Sequence, residues 1–183
     1  MALHIAGIRV DVIEVALGNK PEALRRVSPK ATVPVLVLGD GTVLDECLDI
    51  MRWSLAAADP EQWLDAVDAG LIAQCDGAFK RDLDAWKYRR DGGAREAGLV
   101  FLAGLEARLT VSPSLCRGAH GFTDIAVMPF VRQFAAVDRA WFEAQPLALV
   151  RRWLDALETS ALFAAVMLKP KRAAHSPGRA AAP

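Results

Sequence analysis

Residues 32–50 read Thr-Val-Pro-Val-Leu-Val-Leu-Gly-Asp-Gly-Thr-Val-Leu-Asp-Glu-Cys-Leu-Asp-Ile, and the change of pattern along this stretch decides the fold. Residues 32–38 are almost wholly apolar and rich in β-branched side chains, which predicts a strand buried on both faces. Pro34 has no N–H for a sheet ladder, so it marks the strand's entry, with Val33 held extended before it. Gly39-Asp40-Gly41 reads as a hairpin turn into a short strand over residues 42–44. Asp45 and Glu46 then open a helix carrying Leu48, Ile50, Met51 and Trp53, which runs to the alanines before Asp59.

Toward the N-terminus the same alternation of strand and helix continues. Residues 8–15 contain Val10, Val12, Ile13 and Val15 and predict another strand. Residues 20–27 predict a short helix with Pro21 in its first turn, where the missing N–H costs nothing. Residues 1–7 lack the apolar stretch and cleavage site of a signal peptide and read as the last turns of an amphipathic helix that stops at Gly7.

Toward the C-terminus the strands cease. Asp59-Pro60-Glu61-Gln62 has the pattern of a helix start, an aspartate cap with proline at the first helical position. Trp63, Val67, Leu71, Cys75, Phe79, Leu83 and Trp86 then recur at helical spacing, predicting one long helix through Arg90. Asp91-Gly92-Gly93 breaks it, and further helices are expected over residues 94–110, 122–137, 147–157 and 161–168. The 33 alanines agree with this helical half. The expected fold class is therefore α/β plus all-α, with a mixed domain at 1–58, a helical domain at 59–168 and a flexible basic tail at 169–183.

Composition excludes several functions. The chain has 183 residues with 22 basic and 22 acidic side chains, so no net field draws it to nucleic acid or to an anionic membrane. The balance is uneven: residues 1–168 hold 18 basic and 22 acidic side chains, a net of −4, and Lys169, Lys171, Arg172 and Arg179 of the tail restore it. No apolar run approaches the ~20 residues of a membrane-spanning helix. Cys47, Cys75 and Cys116 are irregularly spaced and suggest neither a disulfide framework nor a metal site, which points to a reducing cytoplasm. His4, His120 and His175 are scattered, Cys75 sits on the apolar stripe as a small core residue, and Cys116 is expected in an exposed loop.

Thr32-Val33-Pro34-Val35-Leu36, Asp40-Gly41 and Leu44-Asp45-Glu46-Cys47-Leu48-Asp49-Ile50 together resemble the glutathione-binding half of cytosolic glutathione transferases, whose members join a thioredoxin-like domain to a helical bundle. Phe122-Thr123-Asp124-Ile125-Ala126 followed by Pro129-Phe130-Val131-Arg132-Gln133-Phe134 resembles the family's buried sixth helix. The resemblance covers nearly the whole chain except the tail and is nearest to bacterial, omega-like members.

The resemblance implies roles that the residues alone leave open. Pro34, by itself an ordinary trans proline at a strand start, would be the family's cis-proline, presenting the Val33 backbone to the cysteinyl part of glutathione. Glu46 and Cys47 would stand where the family holds the γ-glutamyl group, Cys47 replacing the usual serine, a better donor. A helix N-terminus can also lower a thiol's pKa, which opens a thiolate role for Cys47. Lys30 would reach the glycyl carboxylate, or remain a solvated loop lysine. Asp124 resembles the family's internal capping aspartate, with Gly121 where Ser or Thr is usual. Trp86 and Tyr88 fall near the end of the family's fourth helix, where co-substrates often lie, although core packing is the simpler role for Trp86.

The departure from the family is at the start. Members begin with a strand, then a loop carrying a catalytic Tyr, Ser or Cys, often Cys-Pro-Tyr in the omega-like type; Met1 already falls late in the first helix, and Cys-Pro-Tyr occurs nowhere. The missing strand would lie between those expected at residues 8–15 and 32–38, leaving a gap of roughly 9.6 Å. An upstream natural start is therefore expected, and no catalytic residue is assigned. The expected function is glutathione-dependent conjugation or thiol/disulfide reduction on a small hydrophobic or disulfide substrate. The alternative is a non-catalytic glutathione-binding or protein-interaction relative. Glutathione is the expected co-substrate, without a metal, and a homodimer is expected from the family, with residues 59–110 supplying much of its interface.

Overall fold

A computed structural model describes residues 1–16, 18–116 and 118–168. The expected tail at 169–183 and His175 lie outside the described residues. Helix α1 (Ala2–Ile5) ends as anticipated at Gly7, whose φ of +67° suits glycine, and the Ile8 N–H closes the end on Leu3 O at 2.9 Å. Helix α2 (Glu22–Val27) follows Pro21.

Strands β1 (Leu36–Val37) and β2 (Val43–Leu44) form a two-stranded antiparallel sheet, Leu36 opposite Leu44 and Val37 opposite Val43. The turn is the expected hairpin: Leu38 N–H donates to Thr42 O at 2.8 Å, and Gly41 takes a φ of +87°. Helix α3 (Cys47–Ala57) begins directly after Glu46.

Two strand expectations fail. Residues 8–15 form no strand, and Val12 and Ile13 are 59% and 83% exposed. Residues 32–38 are strand only at Leu36 and Val37, and Val37 is half exposed rather than buried on both sides. A strand's propensity is realised only through a neighbour's hydrogen bonds and side chains, and among the described residues β1 has β2 alone.

The rest is helical. Asp59 accepts the N–H groups of Trp63 and Leu64, but the helix expected from that point does not form there. Gln62 has φ +56°, Trp63–Asp65 make a single 3₁₀ turn, and the first regular helix waits for a second cap, Asp68. Helix α4 (Ala69–Gln74) passes through a wide π turn (Cys75–Phe79) into α5 (Lys80–Arg89). Arg90 then enters the left-handed region, and Asp91 caps α6 (Gly92–Leu109) by accepting the N–H groups of Gly93 and Ala94.

Helix α7 (Phe122–Val137) is the centre of the bundle, with Phe122, Val127, Val131, Phe134 and Ala135 at most 1% exposed. Around it stand α8 (Arg139–Glu143), which the sequence reading did not anticipate, α9 (Ala148–Glu158) and α10 (Ala161–Met167). Ala2 of α1 and Leu55 of α3 belong to the same buried cluster as Phe79, Leu105, Phe122 and Trp153. The first helices therefore dock on the bundle and hold the β1–β2 hairpin and the start of α3 in a fixed place.

Candidate functional site

The five residues singled out by sequence lie on two segments that side-chain bonds bring together. Lys30 Nζ donates to Glu46 Oε1 at 2.7 Å and sits 3.6 Å from Asp45 Oδ1. Buried Ser28 donates its hydroxyl to Asp45 Oδ2 at 3.1 Å. These contacts clamp residues 28–30 to the start of α3. Lys30 and both carboxylate partners stay in contact with water, and the lysine's pKa is raised, first by its bond to Glu46 and then by Asp45.

The Val33–Pro34 peptide is cis, as the resemblance implied. Val33 and Pro34 are both exposed, and the backbone N–H and C=O of Val33 have no hydrogen-bond partner among the described residues. A residue with both backbone groups free, three positions before β1, offers a donor and an acceptor to which another backbone can pair.

Glu46 is the N-cap of α3, with extended φ and ψ of −118° and 133°, and no side chain caps the first turn. The positive end of this 11-residue helix is consequently open to a carboxylate. Cys47, its first residue, lies at the surface with its thiol partly screened from water. Burial pushes the thiol's pKa up, and the negative charge of Asp76 adds to this against a smaller lowering by the Leu48 N–H. The thiolate expectation for Cys47 is thus corrected: desolvation outweighs the helix dipole here.

Cys75 is buried as expected, its pKa pushed up to about 12. Cys116 is half-buried rather than exposed, and its Sγ–H donates to Ala66 O at 2.7 Å, with Thr123 Oγ1 3.2 Å from the sulfur. Trp86 is buried at the α5 end of the bundle, whereas Tyr88 is 71% exposed. Asp124 does more than the capping partner expected of it: Oδ2 accepts the Gly121 N–H, while Oδ1 accepts the Leu115 N–H and the Trp153 indole. Sequence reasoning missed Asp76 as a neighbour of Cys47, because it lies 29 positions further along the chain, inside the π turn, and only packing brings the two together. Among the described residues no cluster of His, Cys, Asp or Glu could hold a metal ion, and no helix is long and apolar enough to cross a membrane.

Residues 1–56 match the family profile described as "Glutathione S-transferase, N-terminal domain". A glutathione S-transferase from Rhodospirillum rubrum F11 superposes with a TM-score of 0.70 at 16% identity, covering 93% of this chain and 86% of that one. BphK, a bacterial glutathione transferase, gives 0.76 at 18% identity over 91% and 90% of the two chains. Gtt2 from Saccharomyces cerevisiae gives 0.69 at 18% identity over 91% and 92%. No curated protein sequence matches the chain. At these identities the structures establish the fold, a thioredoxin-like N-terminal half joined to a glutathione transferase helical bundle. The family match is thus to residues 1–56, and the structures share the fold over most of the chain.

Proposed function

We propose that the groove between residues 28–34 and the start of α3 binds glutathione. The observation that carries this is the unpaired Val33 backbone on the segment that the Lys30–Glu46 bond ties to the uncapped end of α3. In this reading Val33 and Pro34 pair with the cysteinyl backbone, the first N–H groups of α3 at Glu46 and Cys47 take the γ-glutamyl carboxylate, Glu46 takes the ammonium, and Lys30 takes the glycyl carboxylate. The thiol of Cys47 serves as packing or a weak donor.

The activity that goes with this site is glutathione-dependent conjugation or thiol/disulfide reduction of a small hydrophobic or disulfide substrate, in the cytoplasm. It requires a group that stabilises or attacks the glutathione sulfur, and none of the five residues is such a group. A second reading, a binder without catalysis, is favoured by the raised pKa of Cys47, which removes the nearest thiolate. Isothermal titration of the chain with glutathione tests the shared premise. Saturable heat at millimolar ligand, weakened several-fold by Glu46→Gln or Lys30→Met, is expected; no heat removes both readings in their small-molecule form. Turnover of an aryl halide or a mixed disulfide in the presence of glutathione selects the first reading, and binding without turnover the second.

The chain is also proposed to form a homodimer through the outer face of α4–α6. That face holds a groove of about 400 Å³ between Leu71, Phe79, Val100 and Phe101, with Val100 75% exposed. Light scattering after size exclusion tests this, and a monomer at micromolar concentration overturns it.

A further inference from the structure

The end of α6 and one face of α9 line a half-open surface cleft of about 160 Å³ that shares no residue with the groove at Val33. Its apolar walls include Leu109, Leu149, Trp153 and Ala156, its polar groups are His120 and Arg152, and no acidic side chain lines it. A dry apolar cavity of about 150 Å³ is the size that takes one benzene ring. The cleft is of the size that seats a single planar ring against its apolar wall.

The walls are fixed. Trp153 is buried and its indole N–H is committed to Asp124 at 2.7 Å, so the ring cannot turn to fill the space. Leu149 is held at the start of α9, where its N–H and that of Val150 donate to the two oxygens of Glu106 at 2.9 and 2.8 Å. That contact also occupies Glu106, the carboxylate one turn before Leu109 on α6, with backbone donors.

The two polar groups are uncommitted. Arg152 is exposed and His120 half-buried, and neither makes a hydrogen bond or ion pair among the described residues. Its neighbour Arg151, by contrast, is tied to Gln145 O at 2.6 Å. An apolar slot for one ring, with a guanidinium and an imidazole at its edge and no acid, is complementary to a planar ring bearing a carboxylate. We propose that this cleft is a binding site for small aromatic carboxylates of the benzoate class. The ring packs on Leu109, Leu149 and Trp153, and the carboxylate is received by Arg152 and His120.

The test uses the full chain and three probes, benzoate, benzamide and inorganic phosphate, followed by saturation-transfer NMR and titration calorimetry. Benzoate is expected to bind at millimolar concentration, and benzamide about tenfold more weakly, the loss of one charge-assisted contact. Arg152→Gln is expected to bring benzoate to the benzamide level, and Ala156→Phe to abolish both; Arg152 and Ala156 are exposed, so both variants fold. Equal binding of benzoate and benzamide overturns the carboxylate assignment, as does benzoate binding unchanged in Arg152→Gln. Phosphate binding as tightly as benzoate overturns the aromatic part. Absence of any benzoate signal at about 20 mM overturns the site, since even a weak specific ligand is partly bound there. Addition of glutathione leaves the benzoate signal unchanged, so failure here is distinguishable from failure of the glutathione reading.

Discussion

The carboxylate of Asp124 accepts the indole N–H of Trp153 at 2.7 Å across 29 residues of sequence, inside a core where Asp124 is fully buried. The same side chain accepts backbone N–H groups from Leu115 and Gly121, each at 3.0 Å. One buried carboxylate thereby ties the loop before α7, the start of α7 and the middle of α9.

Asp124→Ala strands three buried donors at once, so it should cost about 3–5 kcal/mol, against about 1–2 kcal/mol for Trp153→Phe, which removes one. Urea unfolding checks both. An unchanged midpoint for Asp124→Ala would contradict the network.

Gly98 of α6 is where α7 comes closest: a Cβ added there would lie 2.4 Å from Phe134 Cε2 and 2.6 Å from Cζ. Alanine improves helix propensity by about 1 kcal/mol, but overpacking against this buried ring costs about 1–3 kcal/mol. Gly98→Ala should therefore lower the melting temperature, and Phe134→Leu in the Gly98→Ala background should cost less than Phe134→Leu alone. Additive double-mutant energies would show that the contact is not the cause.

Glu106 caps α9 from another helix, 43 and 44 residues from the N–H groups it accepts. Glu106→Ala should destabilise by about 1–2 kcal/mol, with Glu106→Gln intermediate, because the amide keeps one acceptor. Hydrogen exchange at Leu149 and Val150 should accelerate in both variants; exchange unaltered in Glu106→Ala would sink the cap.

Asp68 caps α4, accepting the Leu71 N–H at 2.8 Å, and pairs with Arg108 at 2.8 Å. The Leu71 N–H first, then Arg108, hold its carboxyl below the ordinary value of 3.8. A folded-state pKa depressed in this way contributes stability above the unfolded value and loses it as pH falls through the folded one. The stability gap between the native chain and Asp68→Asn should accordingly be full near neutrality and shrink below 3.8. A gap independent of pH would contradict this.

Cys47 and Cys75 both have pKa values pushed up, Cys75 to about 12, so neither should be a thiolate near neutral pH. Alkylation of Cys47 should be slower than that of a free cysteine and rise only in the alkaline range. Asp76→Asn should speed it by removing the adjacent negative charge. Rapid labelling of Cys47 at neutral pH would restore a thiolate role.

The helical half was largely legible because a helix closes its own hydrogen bonds, so a stripe such as Leu71, Cys75, Phe79, Leu83 and Trp86 reports the element and its buried face together. All five are buried. The cap at Asp59 was legible as a cap and misleading as a helix start, since Gln62 turns left-handed and Trp63 is drawn into the core. The strands were less legible because residues 8–15 can be strand only beside another strand, a property of neighbours that the segment does not carry. At the candidate site the residue types were readable from Val33-Pro34 and Glu46-Cys47. The state of the Cys47 thiol was not, because burial and Asp76 decide it.

By itself, then, the sequence determined most helices of the C-terminal half with their buried stripes, the turn at Gly41 between β1 and β2, and the family resemblance in residues 32–50, all of which depend on local backbone preference and side-chain spacing. Only the tertiary structure decided which distant groups meet: Lys30 with Glu46, Asp124 with Trp153, Glu106 with the start of α9, Gly98 with Phe134. Such pairs depend on the packing of whole helices, and their chemistry, charge screened or buried and donor satisfied or free, is set by what that packing excludes from water.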